Sequence, residues 1–148
     1  MTALTLAKPD DIDRITRLVA DFHSETGVTQ DHVTRTNALM PLLEGSPHGA
    51  VYLIGPARAP IGYASVSFGW SVQAGGLEGL LDEFYIRPAV RGRGIGTEVL
   101  LSLPKALAAA GLRSLHLEVD RGNAKLRKLY EKLHFKPNDD YILMSREL

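Results

Sequence analysis

Two carboxylates, two guanidinium groups and three alternate glycines crowd the stretch from Leu80 to Thr97, Leu-Leu-Asp-Glu-Phe-Tyr-Ile-Arg-Pro-Ala-Val-Arg-Gly-Arg-Gly-Ile-Gly-Thr. Asp82 and Glu83 lie in an apolar run that reads as a strand. As adjacent residues they point to opposite faces unless a bulge re-aims one of them. Carboxylates so placed are candidates for proton removal from a substrate. Downstream, Gly92, Gly94 and Gly96 let the main chain approach a ligand with no Cβ in the way. Thr97, Glu98 and the apolar run from Val99 then open a helix. The first N–H groups of a helix lack internal partners, and its dipole favours negative charge. Arg91 and Arg93 add donors suited to phosphate. The whole stretch reads as a pyrophosphate cradle behind a strand that carries candidate bases.

Other uses of the loop are weaker. A plain turn needs neither three glycines nor two arginines. A dinucleotide fingerprint would take Gly92 and Gly94 as its first glycines and Asp120 as its ribose acid, but it has Thr97 at its third glycine position. Residues Arg87 to Arg91 also separate the strand from the loop, and a single late strand–helix–strand unit is too little for a doubly wound fold. An NTPase phosphate loop is excluded for want of Gly-Lys-Ser/Thr. His116, Glu118 and Asp120 alternate along the next strand, but they match no metal-ligand spacing, and no metal is expected. Glu118 would be a substrate contact if that face opens on a cleft.

The elements that must hold these residues follow from periodicity. Leu4 and Leu6 mark a short strand ending before Pro9, and Ile12, Ile15, Leu18, Val19 and Phe22 keep helical spacing up to Gly27. A second helix is expected over 30–43 and strands over 51–54, 61–70 and 80–86. A helix over 95–110, with a kink at Pro104, leads to a strand over 115–119. A helix over 123–133 and a last strand over 141–146 complete the order. The resulting β-α-α-β-β-β-α-β-α-β pattern predicts antiparallel hairpins, then one parallel pair joined by a right-handed crossover.

Composition narrows the class. The 148 residues fit one domain, and 17 basic residues balance 17 acidic ones, so no global field favours nucleic acid or an anionic membrane. The chain has no cysteine, which excludes disulfides and a thiol nucleophile. Asp10, Asp11 and Asp13 stand where a secretory peptide would need an apolar core, and no apolar run approaches the ~20 residues of a membrane span. A soluble cytoplasmic protein is expected.

Arg91-Gly92-Arg93-Gly94-Ile95-Gly96 resembles the Arg/Gln-x-x-Gly-x-Gly/Ala loop of the GNAT N-acetyltransferase superfamily, with Ile86 and Pro88 at the place of its strand-end Val-x-Pro. A second segment, Asn123 with Leu129-Tyr130-Glu131-Lys132-Leu133 and Phe135, is similar to that family's Asn…Leu-Tyr-Glu-Lys-Leu-Gly-Phe motif. The sequence departs from it at Leu126, where Ala is common, and at His134, where Gly is common. Because His lacks the backbone freedom of Gly, the turn before Phe135 is expected to differ. The resemblance implies a single domain over residues 1–148 with the mixed α+β acyl-CoA N-acyltransferase fold. Its sheet would be mostly antiparallel, six- or seven-stranded, with a central splayed parallel pair and helices on both faces.

The same resemblance implies acetyl-CoA as co-substrate and a primary amine as acceptor. The loop from Arg91 through Gly92, Arg93, Gly94, Ile95 and Gly96 to Thr97 would bind pyrophosphate. The exposed backbone of Phe84, Tyr85 and Ile86 would pair with the pantetheine arm, and Asn123 would meet that arm from the other side. Asp82 or Glu83 would take the amine proton; the sequence does not choose between them, although the pair is similar to that of diamine (spermidine/spermine-type) acetyltransferases. Tyr130 would protonate the thiolate, while its helical spacing with Leu126, Leu129 and Leu133 equally suits a core aromatic. Phe22, His23, Glu25 and Trp70 would line the acceptor pocket, where aromatic and acidic groups suit a cation. Each also has an ordinary structural reading. A polyamine-like or amino-sugar amine is favoured as acceptor. A protein N-terminus or lysine, or a non-catalytic acyl-CoA-binding module, is the alternative, and a homodimer is expected.

Overall fold

A computed structural model describes residues 2–148, which form two compact units, divided between Glu118 and Val119. The first holds strands β1 (Leu4–Leu6), β2 (Gly49–Ile54), β3 (Gly62–Ser71), β4 (Gly76–Ile86) and β5 (Ser114–Leu117). It also holds helices α1 (Ile12–Thr26), α2 (His32–Leu43) and α3 (Ile95–Ala109). The strands make one sheet in the order β1-β2-β3-β4-β5, antiparallel throughout except for the parallel β4–β5 pair. The element order expected from periodicity is present as far as α4.

The apolar stripe of α1 explains its place. Ile15, Leu18 and Val19 are buried and cluster with Leu39 and Leu43 of α2, Val51 and Leu53 of β2, Tyr63 of β3 and Tyr85 of β4. Burial of each such side chain contributes roughly 1.5–3 kcal/mol. Side chains alternate across a strand, so Phe84 and Ile86 face away from Tyr85 and its α1 neighbours. That other face meets α3, where a Cβ added at Gly96 would lie 3.5 Å from Ile86 Cδ1 and 3.8 Å from Phe84 Cζ. Helices thus cover both faces of β4, and α3 continues through Pro104 to Ala109.

The second unit contains α4 (Ala124–Lys132). Asn123 caps it, its side-chain oxygen accepting the Leu126 N–H at 3.1 Å. At the other end Phe135 N–H donates to the Tyr130 carbonyl (3.0 Å) and His134 N–H to that of Glu131 (3.1 Å). This is a Schellman turn with His134 in the left-handed region at φ 73°. The turn therefore keeps the geometry that Gly would supply, contrary to the expectation drawn from His134. Phe135 stacks edge-on against Tyr130, ring centroids 6.0 Å apart, which offsets the strain.

Two expectations are corrected. The strand predicted over 141–146 does not form, so the sheet among the described residues has five strands rather than six or seven. Tyr141, Ile142, Leu143 and Met144 are all exposed, and among the described residues no backbone hydrogen bond pairs this segment with a neighbour. An apolar run makes a strand only where another strand takes up its N–H and C=O groups. The strand expected to end at Val119 stops at Leu117, leaving Glu118 and Asp120 outside it, so His116, Glu118 and Asp120 do not share a strand face.

Candidate active site

The site is built around an irregularity in β4. Ser65 of β3 pairs with Glu83, but its neighbour Val66 pairs with Leu81, so Asp82 has no partner. The extra residue is a β-bulge, which interrupts the ladder and re-aims the side chains beside it. The Glu83 N–H donates at 3.1 Å to the hydroxyl of the buried Ser65. Here the bulge supplies the condition under which two adjacent acids escape simple alternation.

The two acids have different surroundings. The Glu83 carboxylate is engaged at both oxygens. His23 Nε2 lies 2.6 Å from Oε2, and the Tyr63 hydroxyl donates to Oε1 at 3.0 Å. Burial, then the Glu83 charge, pushes the Tyr63 phenol far above its ordinary value, so it stays protonated as a donor. Asp82 is exposed and makes no hydrogen bond among the described residues. Its carboxyl is nevertheless raised above the ordinary value, first by desolvation, then by the charges of Glu83 and Glu118, with His23 acting in the opposite sense.

Beyond the bulge β4 has one open edge. β5 pairs with it only from Glu78 to Leu81, whereas β3 continues alongside to Ile86. Among the described residues, 82–86 therefore face no strand on the β5 side, an edge suited to an extended ligand arm. The glycine loop follows. Gly92 and Gly94 both adopt φ 79°, and a Cβ at either would meet nothing within 4 Å. Glycine is required here by backbone conformation, and the space above the loop is open. Among the described residues no acceptor engages the N–H groups of residues 92–97. Together with Gly94 at the N-cap of α3, this donor array fits a pyrophosphate.

The arginines divide. Arg91 donates from Nε to the Ile86 carbonyl and from Nη2 to Glu25 Oε2, each at 2.8 Å, and lies 5.6 Å from the centroid of the Tyr85 ring. Expected as a phosphate donor, it ties the loop to α1 and to the end of β4. Arg93 is exposed and forms no ion pair among the described residues, so its guanidinium is free for a ligand.

Phe22, His23 and Glu25 do meet β4. Phe22 packs within 5.9 Å of Tyr85 and 6.2 Å of Tyr63, ring centroid to centroid, and His23 and Glu25 reach Glu83 and Arg91. Trp70 does not join them. It pairs with Leu77 at the far end of the β3–β4 hairpin, about 17 Å along the strand from Ser65, and is exposed. Glu118 is exposed and contributes to the charge around Asp82. Asn123 spends its side-chain oxygen on the α4 cap, leaving its amide nitrogen as the available donor. Tyr130 is partly buried, and desolvation raises its phenol, which keeps it a proton donor at neutral pH. Tyr63 and Ser65 carry no motif. Their part in the site follows from the β3–β4 register, which local sequence does not encode.

Comparison with known proteins bears on the family and the fold. A 63-residue stretch is 33% identical to Acetyltransferase SG1711 of Sodalis glossinidius (strain morsitans), spanning 43% of this chain and only 44% of that protein. Among solved structures, a protein of Arthrobacter sp. FB24 superposes with a TM-score of 0.83 at 29% identity, over 99% of this chain and 96% of that one. An integron cassette protein from the Cole Harbour Salt Marsh metagenome gives 0.84 at 27% identity, over 98% and 90%. The Acetyltransferase (GNAT) family model matches residues 13–135, from the first helix through Phe135, and the chain belongs to that family.

Proposed function

We propose that the protein is an N-acetyltransferase that uses acetyl-CoA and acts on a small primary amine by direct attack. One observation carries this reading: at the end of β4 a bulged acid pair, an unpaired strand edge and an unsatisfied amide loop occur in succession. Acetyl-CoA supplies the activated acetyl thioester. The N–H groups of residues 92–97 and the Arg93 guanidinium would hold its phosphates, and the open edge at Phe84, Tyr85 and Ile86 its pantetheine arm.

Asp82 is the better base of the pair. It is exposed, carries no hydrogen bond, and has a raised proton affinity, whereas both Glu83 oxygens already accept. The acceptor enters as R–NH3+. An N–H bond breaks, the proton passes to Asp82, and the electron pair left on nitrogen attacks the thioester carbon. General-base assistance of this kind contributes about 10²–10⁴-fold. As the C–S bond breaks, Tyr130, a neutral phenol, would protonate the departing thiolate, and the second proton lost from nitrogen as the amide forms would restore the phenol through solvent. The carboxylates Asp82 and Glu118 favour a cationic acceptor of polyamine-like or amino-sugar type. The family resemblance also implies a homodimer.

Incubation of the purified protein with acetyl-CoA and an amine panel, with free thiol as readout, tests the proposal. Amine-dependent thiol release that Tyr130→Phe lowers at least tenfold supports it. Acetyl-CoA binding with no turnover on any amine would indicate a binding module, and turnover on peptides alone would move the acceptor to a protein N-terminus or lysine.

A further inference from the structure

The buried imidazole of His23 is the polar group that the proposed chemistry leaves unexplained. It is 5% exposed, sits on the core side of α1, and has an Nδ1 with no hydrogen-bond partner among the described residues. A buried nitrogen without a partner costs stability, and a leucine of similar volume would not carry that cost. What His23 has and leucine lacks is the 2.6 Å contact from Nε2 to Glu83 Oε2. Tyr63, itself fully buried, supplies the matching contact to Oε1 at 3.0 Å. The two donors come from different elements, α1 and β3, and they converge on one carboxylate beside the bulge. With no acceptor near Nδ1, the tautomer that satisfies the site carries its proton on Nε2 and donates it to Glu83.

We infer that His23 and Tyr63 are positioning residues that clamp the Glu83 carboxylate in one orientation, making it a fixed anion that orients the acceptor ammonium while the unengaged Asp82 removes its proton. This rests on the acetyl-transfer reading above. The clamp explains why adjacent acids serve different ends. Each Glu83 oxygen already accepts one hydrogen bond from a buried side chain, at 2.6 and 3.0 Å, which fixes its orientation, whereas the Asp82 side chain accepts none among the described residues. It also assigns His23 to the support of a carboxylate, one step back from the substrate lining expected from its place at the end of the first helix.

Kinetics of the full chain with an amine that turns over test the inference. His23→Leu keeps volume and removes the donor, and His23→Gln places an amide N–H near the original Nε2. Loss of one hydrogen bond to a charged group predicts about a 10- to 100-fold fall in kcat/KM for the amine in His23→Leu and in Tyr63→Phe. The KM for acetyl-CoA is expected to stay within twofold, and His23→Gln to recover most of the loss. Equal impairment of the Gln and Leu variants, or an unchanged amine kcat/KM in His23→Leu, overturns the inference. A second readout does not depend on turnover. Long-range ¹H–¹⁵N spectra should show the His23 proton on Nε2, with its nitrogen shifts changed by Glu83→Gln. A proton on Nδ1 overturns the clamp, whereas failure of the wild-type protein on every amine overturns only the acetyl-transfer reading.

Discussion

Glu25 and Arg91, 66 residues apart in the chain, meet at 2.8 Å and join the end of α1 to the start of the glycine loop. The bond accounts for an arginine that sequence would assign to phosphate. Both side chains are 43% exposed, so the ion pair itself contributes only about 0.2–1 kcal/mol. The Nε bond to the Ile86 carbonyl and the position over Tyr85 add to it. Arg91→Ala is therefore expected to destabilise the protein by about 1–3 kcal/mol in urea titrations. Glu25→Gln in the Arg91→Ala background should cost almost nothing further. Arg93→Ala should instead leave stability unchanged and weaken acetyl-CoA binding about tenfold or more by calorimetry. A larger loss of affinity from Arg91→Ala than from Arg93→Ala, at equal stability, would return Arg91 to the phosphate.

Asp82 sets the expected pH dependence. A base works only when ionised, so kcat/KM should fall as pH drops through the Asp82 pKa, which lies above the ordinary carboxyl value. Glu118 is one of the charges that raise it, so Glu118→Gln should move the acid limb to lower pH. Asp82→Asn should remove about 10²–10⁴-fold of kcat. Its folded-state pKa is raised, so ionised Asp82 opposes folding at neutral pH, and Asp82→Asn should melt no lower than wild type. An acid limb unmoved by Glu118→Gln would count against Asp82 as the titrating base.

The glycines differ in what they tolerate. Gly94 sits at φ 79° in open space, so Gly94→Ala loses about 1–2 kcal/mol to backbone strain alone. Gly96 lies within α3, and an added Cβ would make ordinary contact with Ile86. Gly96→Ala should leave the melting temperature unchanged or higher. Differential scanning calorimetry of the two variants separates the cases.

His134 offers a stabilising change. It is a non-glycine residue in the left-handed region, at the position where a Schellman turn most readily takes Gly. His134→Gly should raise stability by about 1 kcal/mol in denaturant titrations. Activity should be unchanged, because the turn that holds Phe135 against Tyr130 is kept.

Much of the molecule was legible in its residues because the signals are local. The helical spacing of Ile15, Leu18 and Val19 selects the face α1 buries, and the alternate glycines at 92, 94 and 96 specify a loop that leaves its amides free. The likeness of Arg91 to Gly96 and of Asn123 to Phe135 to two known motifs pointed to the family. Tertiary structure decided what depends on partners remote in sequence. The β3–β4 register places the bulge at Asp82, and α1 brings His23 to Glu83 and Glu25 to Arg91. Those contacts separate two acids, and two arginines, that sequence treats as equivalents. The segment 141–146 shows the same limit from the other side, since its pattern suits a strand but strand formation waits on a partner. Conformation is encoded residue by residue, whereas the division of labour within a site depends on which groups the fold sets beside each charge.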